Sequence, residues 1–350
     1  MKISILTHPP KKNYGGILQA LALSAALKHR GHEVQILNGP FKKLSFTKRI
    51  SLGLKTLFGK NPDRKFFHLQ AFVEKHLPVT EIWRGKAMPS CDAIVVGSDQ
   101  VWRPDYTHFP GAYFLDFVPE DSSVRRIAYA ASFGVENWLF TGEQTAAYGT
   151  LLKKFAAVSC REDSGVQLCR EHFDVTAEKV PDPTLLHDAD FYRQYLGEAS
   201  QKQSASSGLF TYFLDPDAEK IDLARELAVR KGWQWDDFLS GSRKKSLRPV
   251  GEFLAGIAHA EFVLTDSFHG MVFSMIFGKP YAIIGNAKRG LTRFDLTVKA
   301  GMPEALLTGT LSVEDCLALA ENPEKYSVIQ EYLIRERSVG MEFLHRVLDN

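Results

Sequence analysis

The chain has 350 residues, of which 45% are hydrophobic and 24% are charged, and its formal net charge is +2 at pH 7. This length favours two domains, and the small net charge argues against a protein that binds nucleic acid through a strongly basic surface. The four cysteines fit neither a zinc site nor a disulfide framework, so we expect reduced thiols and no metal. No apolar run approaches the roughly 18 residues of a membrane-spanning helix, and the first strand is too short for a signal peptide, which predicts a cytoplasmic protein.

The first predicted elements form a βαβ unit. A strand over 2–6 leads through a loop to a helix over 16–30, and a second strand follows over 33–37. Apolar residues recur in the helix at helical spacing, and Gly31 ends it. A βαβ unit predicts a parallel, doubly wound sheet.

The turn between this first strand and helix reads Asn13-Tyr14-Gly15-Gly16. Glycines at a helix start let a ligand approach free backbone N–H groups, so Asn13, Tyr14 and Gly15 are candidate binding residues. A plain glycine turn that packs the helix on the strand explains the motif equally well.

The remaining strands of the first half end in polar residues. They are predicted over 93–96, 126–130, 157–159 and 179–180, with helices near 140–154 and 163–173. Because the carboxyl ends of parallel strands meet at one edge of a sheet, these polar residues predict a ligand site there.

Ser98 and Asp99 follow the strand over 93–96, and Trp102 comes close behind them. An aspartate beside an aromatic residue at a strand end suits the recognition of sugar hydroxyls. Helix capping is the alternative use of the serine and the aspartate.

Arg161 follows the strand over 157–159. Its planar guanidinium can bind a carboxylate or a phosphate with two parallel hydrogen bonds. The alternative is a surface ion pair with Glu162 or Asp163, which would contribute little.

A polar segment rich in Ser and Gln over 187–207 predicts a linker between an N-terminal domain over 1–186 and a C-terminal domain over 208–323. The final helix, within 324–350, is amphipathic, and we expect it to pack back on the first domain. The elements predicted for the second domain are strands over 209–214, 261–265 and 281–284 and helices over 217–231, 250–259 and 269–277. The predicted fold class is therefore α/β, with two Rossmann-like domains facing each other across a cleft.

In the second domain, the strand over 261–265 runs into Asp266-Ser267-Phe268-His269-Gly270 at a helix start. A helix N-terminus suits an anion, and a histidine there can exchange a proton near neutral pH. His269 is therefore the first catalytic candidate. A packed histidine bonded to the backbone is the alternative.

Two further regions are basic. Lys288 and Arg289 follow the strand over 281–284 and predict either a phosphate site or a solvated loop. Residues 41–66 mix Lys and Arg with apolar side chains. We expect a helical flap over the cleft there, with contact to an anionic membrane as the alternative.

Six segments, taken in chain order, resemble the polysaccharide pyruvyl transferase family. They begin at Asn13, Val96, Ala131, Ser159, Asp182 and Thr265 and read NYGGILQA, VGSDQVW, ASFG, SCREDSG, DPTLL and TDSFHG. The resemblance implies a fold similar to GT-B glycosyltransferases and ketal transfer of pyruvate from phosphoenolpyruvate to two hydroxyls of one sugar. The sugar would belong to a cell-surface glycan or its lipid-linked precursor, and no cofactor, metal or nucleic acid is implied.

The resemblance also assigns residues. The family's histidine is matched by His269, its arginine by Arg161, and a later cation by Lys288 or Arg289. We expect His269 to act as general acid or phosphate clamp, Arg161 to bind an anion, and Asp99 to orient or deprotonate an acceptor hydroxyl. The residues expected to bind the donor or its phosphate are Ser267, Gly270, Lys288 and Arg289, and those expected to bind the acceptor are Asn13, Tyr14, Gly15, Ser98 and Trp102.

Two other functions stay open. Some pyruvyl transferases carry an arginine two residues before the histidine, where this chain has Ser267. This departure marks another branch of the family, for which the resemblance implies the donor less strongly. A nucleotide-sugar glycosyltransferase of the same fold would use Trp233 or Trp235 to stack on a base, but no acidic residue is clearly placed for the ribose. A non-catalytic glycan-binding protein would not require His269.

Overall fold

The computed structural model describes residues 1–39, 62–82, 88–197, 208–240, 246–285, 311–322 and 326–349. The chain divides into two compact units, the first made of Met1–Pro183 with Met341–Asn350 and the second of Thr184–Gly340. No helix in the described ranges has the length and apolar character needed to cross a membrane.

The first unit contains a seven-stranded parallel sheet in the order β3-β2-β1-β4-β5-β6-β7. Its strands are β1 (Lys2–Leu6), β2 (Glu33–Asn38), β3 (Val79–Ile82), β4 (Ala93–Val96), β5 (Arg125–Ala131), β6 (Ala157–Cys160) and β7 (Glu178–Lys179). Its helices are α1 (Tyr14–His29), α2 (Phe67–His76), α3 (Gly142–Leu152) and α4 (Asp163–Phe173). The strand order reverses between β1 and β4, and in open α/β sheets ligands bind beside the carboxyl ends of the strands at such a switch point.

The strands at the centre of this sheet are apolar because both of their faces are covered. All four residues of β4 are buried, as are the last six of β5. The apolar runs of β4 and of residues 127–131 in β5 are typical of parallel sheets covered on both sides. An aromatic cluster packs nearby, in which Phe114 stacks on Trp102 with ring centroids 5.5 Å apart and on Tyr148 at 4.5 Å.

The second unit contains a four-stranded parallel sheet in the order β11-β10-β8-β9. Its strands are β8 (Leu209–Tyr212), β9 (Trp235–Asp237), β10 (Phe262–Thr265) and β11 (Tyr281–Ile283). Its helices are α5 (Ala189–Arg193), α6 (Ala218–Lys231), α7 (Val250–His259), α8 (Phe268–Ile276), α9 (Val313–Ala320) and the first part of α10 (Ser327–Leu348). The order reverses between β8 and β10, so this sheet has its own switch point at their carboxyl ends.

The end of α10 belongs to the first unit. Arg125 donates from Nη1 to the carbonyl oxygen of Val347 over 2.9 Å, and Arg346 pairs with Glu178 at 2.7 Å. These contacts attach the last turns of the chain to the amino ends of β5 and β7.

The predicted α/β class and its parallel strands are confirmed. The segment predicted as a linker differs in its first part, because residues 189–193 form α5 and Tyr192 within it is fully buried. Strands β3 and β9 and helices α2 and α9 were not predicted. Residues 198–207, most of the basic segment over 41–66, and Lys288 with Arg289 lie outside the described residues.

Candidate functional site

The turn after β4 is shaped by Gly97. Its φ is 114°, and a Cβ there would collide with the carbonyl oxygen of Tyr129 on β5. Only glycine therefore lets the two strand ends approach so closely. Ser98 is fully buried, and its Oγ donates to the carbonyl oxygen of Ala130 over 3.0 Å. This hydroxyl fastens the turn to β5 and is not presented to a sugar, which corrects the expectation that Ser98 binds the acceptor.

Asp99 is the acidic residue of this turn. It is only partly buried and has a φ of 75°, in a region that residues other than glycine rarely adopt. Its Oδ1 accepts a hydrogen bond from the backbone N–H of Gln100 over 2.8 Å. Such a conformation costs about 1–3 kcal/mol and persists where the surrounding structure enforces it, often at functional sites. The carboxylate lies at the carboxyl end of β4, beside the switch point of the first sheet.

Arg161 is buried, with a side chain that is 5% exposed. Its Nε donates to Oε1 of Glu162 over 2.9 Å, and its Nη1 donates to Oδ2 of Asp182 over 2.8 Å. Burial works to lower the pKa of Arg161, but the charges of Glu162, Asp182 and Asp99 outweigh it and raise that pKa. We expected this guanidinium to bind a substrate anion. The structure instead gives it two carboxylates of the protein as partners.

The same two carboxylates join neighbouring strand ends. Oε1 of Glu162 also accepts from the hydroxyl of Ser132, which in turn accepts from the backbone N–H of Gly134. Oδ2 of Asp182 accepts a longer bond, 3.4 Å, from Ser98. The polar ends of β4, β5 and β6 are therefore bonded to one another around Arg161. The sequence offered Glu162 as an ion-pair partner of Arg161, but at the surface, whereas the pair is buried. Asp182 follows a predicted strand and was not expected to bond to Arg161.

His8 was also missed. It lies just beyond the carboxyl end of β1, with Nε2 3.0 Å from the carbonyl oxygen of Gln100 and Nδ1 3.3 Å from the hydroxyl of Tyr113. Because a carbonyl oxygen can only accept, Nε2 donates and Nδ1 accepts from the tyrosine. Burial, followed by the nearby charge of Asp99, raises the pKa of Tyr113, so its hydroxyl keeps the proton that it donates. This pair joins β1 to the turn after β4 across the switch point.

The turn before α1 contributes one exposed residue. Asn13 is exposed, and its Oδ1 caps α1 by accepting from the backbone N–H of Gly16. Tyr14 is only 2% exposed and Gly15 is buried. Of the three residues expected to bind the acceptor, Asn13 alone lies at the surface. The expectation for the side chain of Tyr14 is corrected by its burial.

Trp102 belongs to the core. It is 1% exposed, its ring packs on Phe114 and Phe133, and its Nε1 donates to the carbonyl oxygen of Tyr113 over 3.1 Å. A tryptophan that stacks on a sugar needs an open face, which this ring lacks. Trp102 is therefore removed from the candidate acceptor residues.

In the second unit, Asp266 joins the ends of β8 and β10. It is fully buried, and its Oδ1 accepts from the backbone N–H of Leu214 over 2.6 Å. Its Oδ2 accepts from the backbone N–H of Asp215 over 3.1 Å and from Nζ of Lys220 over 3.0 Å. The carboxylate is thus balanced by one cation and two backbone donors, and it fixes the loop that follows β8.

His269 lies in the first turn of α8 and is partly exposed. Ser267 caps this helix by accepting from the backbone N–H of Gly270 over 3.4 Å, and it is 4% exposed. A Cβ at Gly270 would collide with Oγ1 of Thr265, so the glycine lets α8 pack on the end of β10. The hydroxyl of Ser267 accepts from the N–H of Gly270 within the cap, and binding of the donor by these two residues stays a prediction. His269 is the least buried residue from Phe268 to Gly270, although its Nε2 is buried, and its ring meets Phe268 edge to face at 5.0 Å.

The two tryptophans considered for stacking on a nucleotide base both contact other residues of the protein. Trp235 donates from Nε1 to Oγ1 of Thr211 over 3.0 Å, and Trp233 stacks on Phe262 at 6.2 Å. Within the described ranges, no group of three or more His, Cys, Asp or Glu could hold a metal ion.

A sequence model of the polysaccharide pyruvyl transferase family matches residues 13–288. The chain belongs to this family. The matched range begins at the cap of α1 and includes Asp99, Arg161 and His269, so it spans both units. The predicted family, which is one of transferases, is confirmed. No curated protein matches the sequence at a significant level.

Solved structures confirm the fold class. UDP-GlcNAc 2-epimerase from Neisseria meningitidis, bound to UDP-GlcNAc, is similar over 99% of both chains, with 13% identity and a TM-score of 0.52. The UDP-GlcNAc 2-epimerase of Methanocaldococcus jannaschii has the same TM-score with 15% identity over 92% of each chain. A glycosyltransferase from Rickettsia africae is 10% identical, with a TM-score of 0.52 over 100% of this chain and 99% of its own. At these identities the likeness shows the fold alone, which is GT-B-like, as the sequence predicted.

Proposed function

We propose that the protein transfers pyruvate, as a ketal, from phosphoenolpyruvate to two hydroxyls of one sugar in a cell-surface glycan or its precursor. The family match over residues 13–288 carries this proposal. A partly exposed histidine at the start of α8 and a partly exposed aspartate at the end of β4 support it, because the reaction requires an acid and a group that handles a hydroxyl.

The reaction proceeds by general acid chemistry. Protonation of the methylene carbon of phosphoenolpyruvate leaves an oxocarbenium-like centre at the carbon that carries the phosphate. A first sugar hydroxyl attacks this centre and loses its proton, and inorganic phosphate then departs. Attack by the second hydroxyl, with loss of its proton, closes the ketal ring. The protein therefore has to supply a proton, balance the donor's anionic charge and align two hydroxyls.

We assign His269 to the donor, either as the general acid that supplies the proton or as the group that holds the phosphate. Its position at the N-terminus of α8 suits an anion, because free N–H groups and the helix dipole favour negative charge there. Lys288 and Arg289 complete the donor assignment as phosphate ligands. This assignment needs no redox cofactor and no metal.

We assign the acceptor to the first unit. Asp99 would accept a hydrogen bond from a sugar hydroxyl and take its proton, and Asn13 offers an exposed amide on the neighbouring turn. Arg161 enters as a positioning residue, because its guanidinium holds Glu162 and Asp182 and through them the strand ends around Asp99.

The test is phosphate release from phosphoenolpyruvate in the presence of a panel of activated glycans. We expect release with the wild type and a loss of about 100-fold or more with His269→Ala, the usual size of a general acid contribution. His259→Ala is the matched control, since His259 ends α7 in the same unit and precedes β10, whereas His269 follows that strand. Full activity of His269→Ala would overturn the assignment. Activity with a nucleotide sugar and none with phosphoenolpyruvate would replace the proposed reaction by glycosyl transfer.

The proposed place of action is the cytoplasm, at the inner face of the membrane when the acceptor is carried by a lipid. The same assay, with a lipid-linked acceptor in vesicles with and without anionic lipid, tests this. Faster turnover and sedimentation with anionic vesicles are expected, and identical behaviour in both would remove membrane contact from the account.

A further inference from the structure

Arg103 is a second guanidinium near the end of β4, and its surroundings differ from those of Arg161. It is partly buried and lies four residues after Asp99 in the same turn. The only hydrogen bond of its side chain among the described residues is a weak one, from Nη1 to Oε1 of Gln100 at 3.4 Å, and its Nε is buried without a hydrogen-bond partner. No carboxylate in the described part of the chain forms an ion pair with it.

Two contacts hold Arg103 in place without neutralising it. Its guanidinium lies over the ring of Tyr106, 4.4 Å from the centroid, and that ring is 50% exposed. Gln100, the second contact, is 4% exposed, and its backbone carbonyl oxygen accepts from His8. A Cβ at Gly134 would collide with the side chain of Gln100, so this glutamine is fixed by close packing. The guanidinium is therefore placed by neutral partners beside a solvent-exposed ring.

A guanidinium in this state suits an anion. Arginine carries five N–H donors in a fixed plane that matches a carboxylate or a phosphate. Among the described residues this guanidinium meets only a weak acceptor on Gln100, so a bound oxyanion would supply the acceptors that its donors lack. Arg161 differs from Arg103 in this respect, because two carboxylates of the protein, Glu162 and Asp182, already accept hydrogen bonds from it.

We propose that Arg103 binds an anionic substituent of the acceptor, a carboxylate or a phosphate on the sugar, while Asp99 binds a hydroxyl of the same molecule. The acceptor is thereby an acidic or phosphorylated glycan rather than a neutral one. The inference rests on the proposed function for the identity of the acceptor as a sugar. The anion site itself depends only on the contacts of Arg103.

Binding without phosphoenolpyruvate tests this inference separately from the reaction. The full chain would be titrated with methyl glucuronide, glucose 1-phosphate and methyl glucoside while the arginine Nε–H resonances are followed by NMR. Loss of one resonance in Arg103→Lys identifies the signal of Arg103. We expect that signal to move with a charged sugar and not with methyl glucoside, and the two charged probes distinguish a carboxylate from a phosphate.

Affinity for the charged probe should fall about tenfold or more in Arg103→Gln, the usual contribution of a hydrogen bond to a charged group, and less in Arg103→Lys. Arg170→Gln, which changes an exposed arginine of α4, is the matched control and should bind as the wild type does. Unfolding curves verify that each variant is folded. A stationary Arg103 signal with both charged sugars, or equal losses in the Arg103 and Arg170 variants, would overturn the inference. If the protein bound a charged sugar but never turned over phosphoenolpyruvate, the proposed reaction would be wrong and the anion site at Arg103 would be supported.

Discussion

Both units place a buried cation and a buried carboxylate at the carboxyl ends of parallel strands, but the two clusters are balanced differently. Lys220 in the second unit meets Asp266, which also accepts from two backbone N–H groups. Arg161 in the first unit bonds two carboxylates, and the charge of Asp99 acts on it as well. The first cluster therefore carries excess negative charge, which suits sugar hydroxyls. In the second, Lys220 faces the buried Asp266 and the exposed Asp217, and we assign an anion to His269 and the helix start.

Of the changes that test this difference between the two clusters, we expect Arg161→Met to lower stability most. Removing this cation leaves the charges of Glu162 and Asp182 buried with only serine hydroxyls as partners, so the free energy of unfolding should fall by about 3–5 kcal/mol. Urea unfolding measures the loss. The exposed Arg170→Met should change stability by no more than about 0.5 kcal/mol. Similar stability of the two variants would mean that the carboxylates do not depend on Arg161.

The equivalent change in the second unit, Lys220→Met, should cost less. Asp266 would keep its two backbone donors, so we expect a loss of about 2 kcal/mol, the range of one hydrogen bond to a charged group. The same unfolding measurement applies, with the exposed Arg225→Met as control. A loss equal to that of Arg161→Met would remove the difference between the two clusters.

Asp99→Gly should separate stability from activity. Glycine adopts a φ of 75° without strain, so stability should stay equal or rise by about 1 kcal/mol. Activity with phosphoenolpyruvate should fall by about 100-fold, because the proposed hydroxyl ligand is lost. Asp174→Gly is the matched control, since Asp174 has a φ of 53° at the exposed end of α4. The Asp174→Gly variant should gain similar stability and keep full activity. A fully active Asp99→Gly variant would exclude Asp99 from the chemistry.

The fold could be predicted from local patterns, whereas the partners of the site residues could not. The apolar run of β4 and the polar residues after it placed Asp99 at the correct edge of the sheet. The bond from Arg161 to Asp182 spans 21 positions, and the one from His8 to Tyr113 spans 105, so no spacing rule relates these residues. The burial of Ser98 and Trp102 depends on how β5 and the aromatic cluster pack over the turn. A local motif shows the type and order of residues, but not which of their polar groups form hydrogen bonds or ion pairs with each other.

The proposed reaction transfers the pyruvyl group of phosphoenolpyruvate, with its carbon atoms, to an acceptor sugar. Incubation of the full chain with carbon-labelled phosphoenolpyruvate and a panel of acidic and neutral glycans, followed by mass spectrometry and NMR of the sugars, tests it most directly. We expect label to enter an acidic glycan as a ketal bridging two oxygens of one sugar, with one phosphate released for each ketal formed. Label that stays in phosphoenolpyruvate or appears only as free pyruvate, while the glycans remain unlabelled, would contradict it.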